Sequence, residues 1–269
     1  MRSRPGQSLM TLAAVAAAIL LGATQLPGQT ATYKAARGPD GKPNLNGIWQ
    51  AMNAGHWDIE AHPAAPGPLP QLGAAYAVQG GLGIVEGEIP YKPDALARKR
   101  ENFSKRLERD PEMRCYLPGV PRAMYMPYPF QIVQSQKHIM MVFEFAGAVR
   151  TIYMADQTEA PADSWMGWSN GKWDGETLVV DTRGFNGLAW FDRAGNFATD
   201  TLHVVERISA RSPETLNYEA TMEDAAVFTR PWKINMPLYR RVERNAQLAE
   251  FRCVEFSEDL IYGHLAKPK

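Results

Sequence analysis

From Pro129 onward the chain is written in short runs of β-branched and aromatic residues, and nothing else in it constrains the fold as much. "PFQIVQ", "HIMMVFEF", "AVRTIYM", "TLVVDT", "TLHVVERI", "TLNYEATM", "WKINM" and "AEFRCVEF" are each about the length of a strand. Gly, Asn, Asp and Pro separate most of them. "EFAGAVR" and "SNGKWDGET" have the composition of tight hairpin turns. With "NGIWQAM" (46–52) upstream, the pattern amounts to about nine strands on mostly short connections, which predicts an all-β antiparallel sandwich or barrel.

The stretch before these runs has a different texture. Residues 53–93 are dense in Gly and Pro ("HPAAPGPLPQLG", "QGGLG") and read as a long irregular excursion. Excursions of that length in compact domains are commonly functional. "KPDALARKRENFSKRLERDPE" predicts one amphipathic helix over about 94–109. Asp94 is its expected cap, Ala95, Leu96, Phe103 and Leu107 its apolar side, and Pro111 its stop. Its basic run (Arg98, Lys99, Arg100, Lys105, Arg106, Arg109) alternates with Glu101 and Glu108, the pattern of a solvated face. The expected organisation is a linker over 32–45, a single domain over 46–256 and a tail over 257–269.

The N-terminus is written like a targeting segment. Arg2 and Arg4 precede the apolar "LMTLAAVAAAILLG", which is too short for the ~20 residues of a membrane-spanning helix. The expectation is an exported, periplasmic protein with a signal peptide over 1–31; the alternative is an uncleaved anchor. No cysteine in this segment could carry a lipid. Lys+Arg and Asp+Glu both number 29, so no net charge draws the chain to nucleic acid or an anionic membrane. The 2 cysteines, Cys115 and Cys253, are most simply a disulfide in an oxidising compartment, or else two buried thiols. No C-x-x-C, H-x-x-x-H, phosphate loop, G-x-G-x-x-G or G-x-S-x-G pattern occurs. No metal and no cofactor is expected.

Alternation sorts the chemistry-bearing residues into faces. In "TLHVVERI", Leu202, Val204, Glu206 and Ile208 share the more apolar face, so Glu206 is a candidate inward carboxylate, with Arg150 as its partner. The competing reading is an ion pair between neighbouring strands that only fixes register. His203 lies on the opposite face, either as a surface histidine or, if that face lines the barrel, as a general base. Asp192 and Arg193 sit in the loop after Trp190 and Phe191. They either orient a base and hold an anionic oxygen, or form an Asx-type turn at "DRAGN". Arg122, Tyr125 and Tyr128 could polarise a phenol or carboxylate, or simply pack. Trp165, Trp168 and Trp190 could wall a site for an aromatic ligand, or belong to the core. His56 and His62 are candidates for a lid.

Two resemblances sharpen this reading. Gly47-x-Trp49 in "NLNGIWQ" resembles the signature of lipocalins and other calycins. There the Trp closes the barrel floor under an arginine of a late strand, for which Arg241 or Arg252 would serve. More broadly, "GEIPYKPDALARKRENF", "CYLPGVPR", "MPYPFQIVQ", "SWMG" and "WFDRAGNF" resemble a large, mostly uncharacterised group of exported bacterial proteins. That resemblance implies a calycin-like barrel and an association with cofactor-independent lyases of lignin-derived aromatics. The implied partner is a small aromatic molecule. The implied chemistry is a retro-aldol-like C–C cleavage releasing formaldehyde, with catalytic roles for Tyr128, Asp192, Arg193, His203 or Glu206. The alternative is a non-catalytic periplasmic binding protein for the same class of ligand. One departure bears on the choice: the group commonly reads "DRAGNFHS", whereas this chain reads "DRAGNFATD" and carries Ala198 where the histidine would stand.

Overall fold

The computed structural model describes residues 33–155 and 157–266. The targeting segment expected over 1–31 lies outside the described residues. The strands are β1 (Gly47–Ala51), β2 (Phe130–Gln134), β3 (His138–Phe143), β4 (Val149–Tyr153), β5 (Trp168–Asp174), β6 (Thr177–Arg183), β7 (His203–Ser212), β8 (Thr215–Glu223) and β9 (Trp232–Arg240). They form one closed barrel in chain order, β9 pairing back onto β1. Closure removes both sheet edges.

Alternation builds the interior. Val204, Glu206 and Ile208 of β7, Leu216, Tyr218, Ala220 and Met222 of β8, and Trp232, Ile234, Met236 and Leu238 of β9 are all buried. Each buried Ile, Leu or Met contributes roughly 1.5–3 kcal/mol relative to exposure. Together with Trp49, Phe130, Ile132, Ile139, Met141, Ile152, Leu178 and Val180 they make one continuous core.

Trp49 of β1 is buried, and its indole N–H donates to the Leu45 carbonyl at 3.0 Å. The Arg240 guanidinium lies over its ring, 4.2 Å from the centroid, and donates to the Asn46 carbonyl at 2.8 Å. Position 47 must be glycine: its φ is +147°, and a Cβ there would meet the Arg240 Nη1 at 2.2 Å. The arginine that packs on Trp49 is Arg240, the last residue of β9. Arg241 pairs instead with Glu243, and Arg252 with Glu250, both at the surface.

Several sequence expectations are corrected. The barrel is not antiparallel throughout: β4 and β5 run parallel, with Ile152 opposite Ser169 and Tyr153 opposite Asn170. A parallel pair needs a crossover rather than a hairpin, and residues 154–167 supply it. "SNGKWDGET" is mostly strand β5, and its turn is confined to Gly175 (φ 57°) and its neighbours. "AEFRCVEF" is not a strand; it runs irregularly over the surface. Residues 33–45 are not a free linker, because Leu45 is fully buried in the core. The expected tail forms a helix from Ser257.

The helix of the sequence pattern is two helices, α1 (Pro93–Ser104) and α2 (Arg106–Arg109). Asp94 lies inside the first turn, and the N-cap is Lys92, without a side-chain cap. The face turned inward is polar, with Asn102 and Arg106 buried beside Ala95, so the basic run is not wholly solvated. The excursion over 53–92 contains one 3-10 turn (Pro70–Tyr76) and isolated bridges to the end of the barrel, Val85 to Ile234 and Tyr91 to Phe228. None of the described helices is long and apolar enough to cross a membrane.

Candidate functional site

The loop between β6 and β7 carries "WFDRAGNF", and its local chemistry dictates its shape. Asp192 accepts from the backbone N–H of Ala194 at 2.9 Å and of Asn196 at 3.1 Å, an Asx-type turn. Its other oxygen accepts from the Ile59 N–H at 3.0 Å and from the Asn196 side-chain amide at 2.6 Å. Gly195 (φ +85°) lets this turn touch α1, since a Cβ there would meet the Lys99 carbonyl at 2.7 Å. Asp192 thus stitches the excursion to the barrel. Burial, with Asp58 nearby, pushes its carboxyl up to about 8. Fully buried and held by four donors of the chain itself, Asp192 is out of reach of a substrate.

Arg193 points to a second buried cluster whose hub is Glu112. Glu112 accepts two N–H groups of Arg193, at 2.9 and 2.6 Å, and one of Arg122 at 2.7 Å. Arg122 is also held by both oxygens of Asp110, at 3.0 and 3.3 Å. His56 lies 3.3 Å from Glu112 but poorly aligned, and neither of its ring nitrogens makes a hydrogen bond among the described residues. Burial opposes the charge of Glu112, yet His56, Arg193 and Arg122 crowd it and hold its carboxyl well below the usual range. Burial lowers His56 below its ordinary value. Tyr125 braces the loop by donating to the Phe191 carbonyl at 2.9 Å.

Beside this cluster lies an open cleft of about 440 Å³. Trp165, Trp190, Tyr116 and Phe197 form its aromatic walls, Arg98, Arg109 and Arg114 its cationic rim, and Ala198 sits in its lining. Tyr116 and Trp165 pack with centroids 5.1 Å apart, and the Arg98 guanidinium stands 4.3 Å over the Phe197 ring. Among the described lining residues there is no histidine, and the one carboxylate, Glu101, is engaged by Lys105 and Arg109.

The expected site residues therefore separate. Asp192, Arg193, Arg122 and Tyr125 meet around Glu112 and the loop; Trp165, Trp190 and Ala198 meet in the cleft. Glu206 and Arg150 are inside the barrel, on β7 and β4, which are not neighbours, so the pair spans the interior rather than fixing one register. Arg150 donates to Glu206 at 3.0 Å, to Ser169 at 2.9 Å and to Thr182 at 2.9 Å, and Tyr218 donates to Glu206 at 2.9 Å. The pair is sealed from solvent, Arg150 at 2% and Glu206 at 0% exposure. His203 is on the outer wall, 2.8 Å from Asp181 and 3.0 Å from Arg183. Trp168 stacks outside the barrel on Tyr153 at 4.5 Å. Tyr128 packs between Phe145 and Phe251, with no hydrogen bond from its hydroxyl among the described residues. His62 pairs with Asp58 at 3.2 Å.

Sequence reading missed Glu112, Asp110, Arg106 and the arginine rim. Glu112 follows Asp-Pro in "RDPEMRC", an ordinary helix stop, and nothing in the spacing marks it as a hub. Cys115 was the available signal: its disulfide with Cys253, Cα–Cα 5.7 Å, anchors the same turn. Among the described residues no group of His, Cys, Asp and Glu could hold a metal ion. No family model and no curated protein matches this chain.

Proposed function

We propose that this chain is an exported, periplasmic binding protein of calycin type whose ligand is a small aromatic anion. The observation that carries the reading is the cleft: aromatic side chains with the Arg98 guanidinium standing over Phe197, Arg109 and Arg114 also in the lining, and a methyl group at position 198. Aromatic walls favour a ring, and the arginines favour a carboxylate or phenolate on it. The Gly47, Trp49 and Arg240 arrangement supports the calycin type, and the disulfide supports an oxidising compartment.

A second reading, a cofactor-independent lyase on lignin-derived phenolics, draws on position 198 itself. The histidine implied by the resemblance would project from this lining, where a base could reach a bound phenol. In this chain Ala198 supplies none, Asp192 is fully engaged, and His203 is outside.

The test is mass spectrometry of the purified protein with a panel of lignin-derived phenolic dimers, no cofactor added, beside calorimetric titration of the same compounds. The expected result is one-to-one binding without product. Product from the native chain overturns the binding-protein reading. Product from Ala198→His alone identifies 198 as the missing base.

A further inference from the structure

Glu258 ties the C-terminal helix α3 (Ser257–Ala266) to the rest of the domain through two arginines and a tyrosine. Only Gly263 is buried among its residues of described exposure, while Leu260 and Ile261 are 73% and 58% exposed. Glu258 reaches Arg106 at 2.5 Å, Arg193 at 3.2 Å and the Tyr76 hydroxyl. Beside it, Tyr262 lies 6.2 Å from Tyr76, the Phe256 N–H donates to the Met113 carbonyl at 2.6 Å, and the Arg114 guanidinium stands 5.4 Å over the Phe256 ring.

The two arginines differ in what they keep without Glu258. Arg193 retains Glu112. Arg106 is 1% exposed, and Glu258 is its one ion-pair partner among the described residues; its other contacts are the Tyr76 hydroxyl and the Met113 sulfur at 3.7 Å. A buried guanidinium without a counter-ion is strongly disfavoured. When α3 lifts, Arg106 loses its direct ion pair and keeps only the more distant charges of Asp110 and Glu112, so the cluster favours an anion in the place of Glu258. Its walls select the kind: the Trp57 ring lies 4.5 Å beneath the Arg193 guanidinium, and Tyr76 stands edge-on to Trp57 at 5.9 Å.

We propose that Arg106, Arg193 and Tyr76 form a binding site for the carboxylate of a small aromatic acid, and that Glu258 is a plug that occupies it. Ligand and helix compete for the same guanidinium groups. The disulfide at Cys253 keeps the displaced helix close, so the plug acts at a high effective concentration and weakens the apparent affinity of the ligand. This site shares no lining side chain with the aromatic cleft and is independent of the reading given to it.

Sodium benzoate and sodium acetate, titrated calorimetrically into the full chain and into Glu258→Ala, test this. The expected result is a site in Glu258→Ala that binds benzoate at least tenfold more tightly than the native chain does there. Acetate should bind more weakly, and benzoate should recover melting temperature lost to the substitution. Adding Trp165→Ala, which alters only the cleft, should leave the gain intact. Equal benzoate binding by Glu258→Ala and the native chain, or a gain that disappears with Trp165→Ala, overturns the proposal. Acetate matching benzoate removes the aromatic part of it. Glu258→Gln keeps the shape of the plug and loses its charge, and is read the same way if Glu258→Ala does not fold.

Discussion

Two buried groups of charge in this molecule are built on opposite plans. Inside the barrel, Arg150 and Glu206 are held by Ser169, Thr182 and Tyr218, all carried on paired strands. At the end of the barrel, Glu112, Arg193, Arg122, Asp110, Arg106 and Glu258 come from turns, short helices and a loop. They leave both nitrogens of His56 and the Arg122 Nε without a hydrogen bond among the described residues. A strand ladder sets side-chain positions at a fixed pitch, so a polar network can close completely. Irregular segments reach the same charges by several routes and leave slack. The loop-borne cluster is open in that sense only: it keeps polar atoms without a partner among the described residues, which makes it, and not the sealed pair, the place to look for ligands.

The comparison is tested most severely by Glu206→Ala, which strands Arg150 in an apolar interior. The expected loss is ~3–5 kcal/mol by urea denaturation, largely recovered in the Arg150→Met, Glu206→Leu double variant. A loss below ~1 kcal/mol would mean water reaches the pair, and the contrast with the open cluster would fail. Glu112→Gln should cost less, about 1.5–3 kcal/mol, because Asp110 and Glu258 still neutralise the arginines. If the two losses are equal, the open cluster is as rigid as the barrel interior.

His56 sharpens the contrast through pH. Burial lowers its folded pKa, so it contributes stability that is present above its unfolded value of ~6.5 and is lost as pH falls through the lower folded value. The melting temperature should decline as the protein is acidified below about 6.5. His56→Phe, of similar size and without a titrating ring, should flatten that part of the decline; an unchanged slope would place its origin elsewhere. The smallest expected effect on stability is that of Arg98→Ala, within about 0.5 kcal/mol for a surface position. The same variant should weaken binding of an aromatic carboxylate in the cleft by about two- to fivefold, read by titration.

The strands were legible because alternation of apolar residues is a local property. "TLHVVERI" and "TLNYEATM" declare their inward faces, and with them the inward pointing of Glu206; Arg150 was one candidate partner, and only the closed barrel brings the two together. The Asx turn at Asp192 was legible for the same reason, its partners being two and four residues away. The parallel entry of β5 was not, because it depends on a crossover whose residues carry no periodic signal. The cleft was half legible: tryptophans and Ala198 could be singled out, but not the arginine rim. Arg98, Arg109 and Arg106 look alike along the helix, and packing alone exposes the first two and buries the third.

By itself, then, the sequence determined that the chain forms short β-strands closing as a sandwich or a barrel, with a candidate inward carboxylate and two cysteines able to bridge. Tertiary structure alone decided which charges meet. Glu112 gathers partners from positions 56, 122 and 193, and Glu258 comes from the far end of the chain to Arg106. Strand pattern arises from residues a few positions apart, whereas pairing of buried charge is chosen by loop closure and desolvation over the whole molecule, which no local pattern records.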